Sequence, residues 1–365
     1  MSDCYALSDA ISNGNINLVS ALIKVGGNVN IFIHTKSKFK STSMHDSIRY
    51  CLTSMMRKLT PMMLVVTHNC KHSMEMMRLL IDYGADVNKQ DYIGMTALMY
   101  TAMYLSERDG LPIMKMLIES GAEVDKQDEI GHTALMYQAH HLCSERLIHL
   151  LIDAGADPNK QNVEGATALL WYLRSWWHRN PTVNIISLLV TKENVNKQDH
   201  NGSTALMHVN SCKHGARVIR LLINTGADVN MQDMNGLTAL MYIIDRGGYY
   251  ASGMLRVLLD KGANVNMQDK DGDTALMWAA RFGGKHRTAM ARLLINAGAD
   301  ANKQDKDGLT ALMIAAKLGC KYSADAHYAE IIHLLLNEKA DINMQNNDGE
   351  TALMLAILYL SLIHI

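Results

Sequence analysis

Apolar residues in this chain fall into helix-length blocks that come in pairs, and a polar stretch follows each pair. In RLIHLLIDAG, residues Leu147, Ile148, Leu150, Leu151 and Ile152 recur at helical spacing and make one broad apolar face. The first block of a pair opens on a threonine, as in TALMWAA at 274–280, where a hydroxyl suits the start of a helix. The glycine after the second block suits a left-handed helix stop. A turn-rich run follows, such as GADVNKQDYIGMT at 84–96, with an Asp-x-x-Gly turn at Asp91–Gly94. The predicted unit is therefore helix, connector, helix and extended turn. One such unit cannot bury its own apolar faces, so neighbouring units must stack.

The two halves of the unit keep length differently. The helix-opening threonines are Thr60, Thr96, Thr133, Thr167, Thr204, Thr238, Thr274, Thr310 and Thr351. The stop positions are Gly84, Gly121, Gly155, Gly226, Gly262 and Gly298, with Lys192 and Lys339 in two further copies. From stop to next threonine is 12 residues in all eight copies, whereas threonine to next stop ranges from 22 to 29. Insertions thus fall in the connector half, where lengthening a surface loop costs little. Deleting connector residues such as 106–109 is expected to be tolerated. A lysine at a left-handed stop costs on the order of 1 kcal/mol relative to glycine.

These residues resemble the ankyrin repeat, whose signature is T-P-L-H-x-A-A, an aliphatic second helix, G-A-D-V-N and D-x-x-G. TALMWAA (274–280), LLINAGADANKQDKDG (293–308) and their copies carry the resemblance over roughly residues 60–350. It implies an all-α helical solenoid with short β-hairpin fingers, of about nine to ten repeats. The fixed turns would stack as a row of hairpins, with the connectors at the opposite edge. Most copies depart from the family pattern, with alanine for proline (Ala97, Ala275) and methionine for histidine (Met99, Met277); only Thr60–Pro61 keeps the proline. The family's Thr–His hydrogen bond cannot form in these copies. Methionine packing is expected to replace it, which helps explain the 26 methionines. The pair Ala279–Ala280 becomes Tyr172–Leu173, Val209–Asn210 and Ile243–Ile244 in middle units, so a bend or weak junction is expected near 170–195.

The resulting map has an N-terminal capping unit at 1–30, a basic insertion at 31–59 and an apolar half repeat at 351–365. The eight full repeats lie between, at 60–95, 96–132, 133–166, 167–203, 204–237, 238–273, 274–309 and 310–350. The segment 31–58 holds six Lys/Arg and one Asp, and is expected to be a solvated insertion, with a basic docking finger as its functional alternative.

Charge narrows the function. With 35 basic and 36 acidic residues, net charge −1, the chain has no global attraction to nucleic acid or an acidic membrane. The lysine row Lys89, Lys126, Lys160, Lys197 and Lys303 is offset by an Asp or Asn two residues later. No apolar run reaches the ~18 residues of a spanning helix, and MSDCYALSDA does not have the form of a secretory signal. The six cysteines are widely spaced and imply reduced thiols in the cytoplasm or nucleus, with a host cell as one setting. His68, Cys70 and His72 form the best local metal set, yet a fourth ligand is not evident, so no metal or cofactor is expected. Motifs for phosphate loops, zincins and serine hydrolases are absent, and no catalytic residue is assigned.

An aromatic series, Tyr100, Tyr137, Trp171, His208, Tyr242 and Trp278, stands four residues after its threonines and is expected to pack between first helices. In the family, partners touch hairpin tips and the exposed, concave side of the first helix. The corresponding tip pairs are Tyr92–Ile93, Glu129–Ile130, Val163–Glu164, His200–Asn201, Met234–Asn235, Lys270–Asp271 and Lys306–Asp307. The reading is a non-catalytic protein-binding scaffold. A ubiquitin-ligase adaptor is the first alternative, although the ending TALMLAILYLSLIHI leaves no F-box-like segment; an enzyme module is the second. The Asn- and Lys-rich turns resemble ankyrin proteins of large DNA viruses and intracellular bacteria, which would make the role host-directed. The apolar residues 353–365 suggest self-association or partner docking.

Overall fold

The computed structural model describes residues 2–35, 57–70, 72–175, 182–209, 213–282, 285–321 and 326–363. Among them are nineteen helices and one two-stranded antiparallel sheet. The chain divides into two compact units, Met1–Val163 and Glu164–Ile365. In each, a first helix alternates with a second helix, and a hairpin-like turn joins one pair to the next. The first unit holds the pairs Ser2–Ser12 with Ile16–Lys24, Pro61–His68 with Ser73–Asp82, Ala97–Tyr104 with Glu107–Glu119, and Ala134–His140 with Glu145–Asp153. The second holds Ala168–Ser175 with Val183–Leu189, Ala205–His208 with Gly215–Thr225, Ala239–Arg246 with Ala251–Asp260, Ala275–Phe282 with Lys285–Asn296, and Ala311–Lys321 with Ala326–Asn337, then Ala352–Ile363.

From Pro61 onward every first helix begins one residue after its threonine. At every one of these threonines but Thr204 the hydroxyl accepts the N–H three residues on, as from Met99 and Met277 at 3.3 Å each. The methionine does more than pack. Its sulfur accepts the threonine backbone N–H in return, at 3.4 Å in Met63, Met99 and Met313 and 3.3 Å in Met207 and Met277. This is a capping box in which a thioether takes the role of the usual Glu or Gln. A buried backbone donor that the missing histidine would have left open is thereby satisfied.

The second helices bury a narrower stripe. In Glu145–Asp153, Leu147, Ile148 and Leu151 are buried while Arg146 and His149 face solvent. The stop after Ala326–Asn337 is left-handed at Lys339, φ 61°, as expected of a lysine in that place. The expectation fails at Lys192, which does not have positive φ. Helix Val183–Leu189 ends instead in extended backbone at Val190, and Asn194 caps it. Fully buried, Asn194 donates to the Leu189 carbonyl (2.8 Å), accepts from the Thr191 N–H (2.9 Å) and gives its own N–H to the Thr191 hydroxyl (3.1 Å). A side-chain amide closes the carbonyls that a glycine turn closes elsewhere.

Two further expectations meet the structure at the edges. Residues 107–109 are not a loose connector but the first turn of Glu107–Glu119. Glu107 accepts from Ser144 (2.7 Å) and Arg146 (3.2 Å) of the next repeat, and Asp109 from Asn69 (3.1 Å) of the previous one, so their deletion would cut ties on both sides. The ends of the basic insertion pair with each other, Ile33–Thr35 against Arg57–Leu59 in the register Ile33–Leu59. Residues 36–56, which hold most of that insertion, lie outside the described residues, as do 176–181 within the expected weak junction.

Candidate interaction surface

The constant 12-residue half of the repeat has three separate reasons for its length, because three ladders run from hairpin to hairpin. The first is made of asparagines. Asn88 donates to the Gly121 carbonyl (2.9 Å) and accepts the Glu123 N–H (2.7 Å) of the next repeat. Asn30, Asn196, Asn230 and Asn266 repeat both bonds. The second ladder is made of glutamines. Gln232 donates to its own Gly236 carbonyl (2.6 Å) and to the Gln268 carbonyl (2.9 Å) of the next hairpin. Gln90, Gln127, Gln198, Gln268 and Gln304 do the same.

The third ladder is the tips themselves. In the first unit the N–H of Glu129 donates to the Ile93 carbonyl (3.0 Å) and that of Val163 to Ile130 (3.1 Å). In the second unit His200 donates to Glu164, Met234 to Asn201, Lys270 to Asn235 and Lys306 to Asp271, at 2.8–2.9 Å. The hairpin glycine makes this possible. At Gly94, φ 79°, a Cβ would lie 2.9 Å from Asp128 Cα and 2.8 Å from the Glu129 nitrogen. Any side chain there would push the next hairpin away as well as strain its own backbone.

Tip backbones are therefore tied by the ladder, which uses no tip side chain; of the exposed tip residues, Glu164 takes a side-chain bond, from Arg174 (2.8 Å). Of the tip residues chosen from sequence, Tyr92 and Ile93 are half-buried. Glu129, Ile130, Val163, Glu164, His200, Asn201, Met234, Asn235, Lys270, Asp271, Lys306 and Asp307 are exposed. Among them Met234 is 60% exposed and Val163 55%, large apolar groups held open on rigid backbone. The first-helix face offers less than expected. Ala97 to Met103 and Ala134 to Ala139 are buried without interruption, so in the first unit no open side of these helices remains over those residues.

The aromatic series is where sequence reasoning missed most. Its members do not simply pack between helices; five of the six reach a hairpin carboxylate nine residues earlier, the exception being Trp171, where that place holds Asn162. Tyr100 donates to Asp91 (2.8 Å), Tyr137 to Asp128, Tyr242 to Asp233 (2.8 Å) and Trp278 to Asp269 (2.9 Å), and His208 lies 3.5 Å from Asp199. The other carboxylate oxygen takes two backbone N–H groups of the tip, as Asp233 does from Asn235 and Leu237 (2.8 Å each). The signal was legible: every residue in the series carries an O–H or N–H donor, and phenylalanine is never used. In the second unit an arginine stacks beside two of them, Arg174 over Trp171 and Arg246 over Tyr242.

Burial sets the electrostatics of these locks. It raises the Asp128 carboxyl above its ordinary range, against the opposing Tyr137 hydrogen bond, and it raises the Tyr137 hydroxyl too. Burial also lowers His208, more than neighbouring Asp199 raises it, so this imidazole is held neutral. Asp273 is raised by burial although Arg281 contacts both its oxygens.

Among the described residues no group of three or more His, Cys, Asp or Glu side chains is placed to hold a metal, and no helix is long and apolar enough to cross a membrane. His68 instead contacts the Ser12 hydroxyl (3.2 Å) and Cys70 the Ser73 hydroxyl (3.6 Å). Comparison with family models matches one described as ankyrin repeats over residues 7–128, 175–269 and 248–325. A second, described as ankyrin repeat, matches 130–163 and 307–347. A comparison with curated proteins gives no match.

Proposed function

The chain belongs to the ankyrin-repeat family, whose members generally mediate protein–protein interaction, and from that premise we propose that it is a non-catalytic scaffold that grips a protein partner with its hairpin tips. One observation carries this reading: within each unit, the tip side chains from Glu129 to Val163 and from Glu164 to Asp307 are exposed while their backbones are locked in a ladder. Pre-ordered backbone spares a binding surface the entropy of fixing its own loops. Exposed Val163 and Met234 are the apolar anchors, and the charged pairs Lys270–Asp271 and Lys306–Asp307 set register. The asparagines of the turns serve the first ladder.

The test uses the full chain with Val163→Asp and Met234→Asp together. Both residues are exposed, so the melting curve should be unchanged. A partner captured by the parent chain should be lost by the variant. Retention of every partner at unchanged affinity would sink the tip reading.

A second reading concerns helix Ala352–Ile363. Ala352 and Leu355 are buried, but Leu353, Met354, Ile357 and Leu358 form a contiguous exposed stripe, with Leu353 69% open. The side chains of residues 359–365 lie outside the described residues. A stripe of this kind is an interface or a liability, and self-association through it is the reading we favour. Light scattering of the parent chain against Leu353→Glu with Ile357→Glu separates the cases; two monodisperse monomers would refute it.

A further inference from the structure

The near-zero net charge conceals a segregation on the second helices. In the first unit, Ser73–Asp82, Glu107–Glu119 and Glu145–Asp153 hold seven carboxylates against four Lys/Arg. In the second unit, Gly215–Thr225, Ala251–Asp260 and Lys285–Asn296 hold one carboxylate, Asp260, against six Lys/Arg.

The basic residues also share a register. Arg220, Arg256 and Arg292 each stand six residues before a stop glycine (Gly226, Gly262, Gly298) and directly after a buried pair: Val218–Ile219, Met254–Leu255 and Met290–Ala291. Each is exposed, as is Arg217 one turn before Arg220. The three helices pack in sequence on one another, so the arginines form a row with a step of about 10 Å, the usual interhelical distance. Before the row, Ser187 stands directly after the buried pair Ile185–Ile186, and after it His333 stands six residues before Lys339.

Arginines 220 and 292 have no carboxylate three or four residues away, and no ion pair is made by any of the three among the described residues. The same register in the first unit is compensated: Lys115 pairs with Glu119 (3.7 Å), and Arg78 and His149 each have carboxylates one turn away on both sides.

We propose that this row is a second docking surface, on the second helices of Glu164–Ile365, for an extended acidic segment of a protein partner. Arginine forks match carboxylates in bidentate fashion. An extended polyproline-type strand presents every third residue on one face at about 9 Å, close to the step of the row. A segment with an acidic residue at every third position therefore meets one arginine per repeat. Nucleic acid fits less well: the three helices carry no Phe, Tyr or Trp on which bases would stack.

The probe is a fluorescein-labelled peptide of four Glu-Pro-Pro triplets, with a Gln-Pro-Pro peptide as control and fluorescence anisotropy as readout. The full chain should bind the Glu peptide, more weakly as salt rises, and not the Gln peptide. Arg220→Glu, Arg256→Glu and Arg292→Glu together should weaken binding at least about tenfold, and the corresponding Gln triple should weaken it less with the same melting curve. Val163→Asp with Met234→Asp should leave this affinity unchanged, which separates the row from the hairpin tips. Equal binding of the Glu and Gln peptides, or an unaffected charge-reversal triple, overturns the proposal. So does an Arg-dependent preference for oligothymidylate or phosphatidylserine vesicles over the Glu peptide.

Discussion

Tyr242→Phe removes one hydroxyl and isolates the aromatic–carboxylate lock. In the parent chain that hydroxyl donates to Asp233 Oδ2 at 2.8 Å, while Oδ1 holds the N–H groups of Asn235 and Leu237. The ring also sits 4.9 Å beneath the Arg246 guanidinium, a contact phenylalanine keeps. Hydrogen bonds to charged groups contribute roughly 1.5–3 kcal/mol. Tyr242 is only half-buried, so water can partly replace the hydroxyl and the low end applies, about 1.5 kcal/mol. Because repeat arrays open locally, the loss should appear as about tenfold faster hydrogen exchange at the Asn235 and Leu237 amides, with a smaller change in the overall melt. The reciprocal experiment starts from Asp305, whose aromatic position holds Ile314. There Ile314→Tyr supplies the absent donor and should slow exchange at Asp307 and Leu309, whose N–H groups Asp305 holds. Unchanged exchange in Tyr242→Phe would refute the lock as a source of hairpin order.

Other perturbations follow from the same structure. Asn194→Ala should destabilise by about 2–4 kcal/mol in urea titration, since it strands the Leu189 carbonyl and the Thr191 N–H, whereas Lys192→Gly should give no gain; a stabilised Lys192→Gly would restore the left-handed stop there. Lys339→Gly, at φ 61°, should stabilise by about 1 kcal/mol, read as a shift in urea midpoint. His208 has a folded pKa below its ordinary 6.5, so the unfolded chain binds the extra proton between the two values. Its contribution is whole above about pH 6.5 and lost as pH falls toward the folded value. His208→Tyr, the residue found at 242, should flatten that part of the stability–pH profile; parallel profiles would contradict a buried neutral imidazole.

The helix pairs and the fixed half repeat were legible because they rest on periodicity and spacing, which local sequence records directly. Thr96 to Met99 was half legible. The threonine cap follows from residue type, but a thioether acting as acceptor for the Thr96 N–H is a weak chemistry that pattern rules do not encode. Lys192 misled because alignment by spacing assumes that every helix ends alike, while Asn194 ends this one from two residues downstream. The Tyr–Asp and Trp–Asp locks span nine residues, beyond the three- and four-residue separations at which helix neighbours are usually sought. The arginine row was hidden by counting: Asp91 and its counterparts in the hairpins cancel Arg220, Arg256 and Arg292 in the net charge although they lie on a different part of each repeat.

This division of labour has a consequence for how such a surface changes. The ladders consume backbone groups of the tips, the amides of Asn88 and Gln90 and their copies, and the carboxylate of Asp91 and its copies. They use no tip side chain, so Met234→Lys or Lys270→Met alters neither a ladder bond nor a buried group. Substitutions of that kind at exposed sites usually fall within about 0.5 kcal/mol, while each can change what the tip recognises. The glycines cannot vary in the same way, since Gly94 lies under the next hairpin. Recognition and stability are thus written in alternate residues of one short turn. That is why apolar Val163 and charged Lys306 can occupy equivalent positions on hairpins whose backbones are bonded in the same manner.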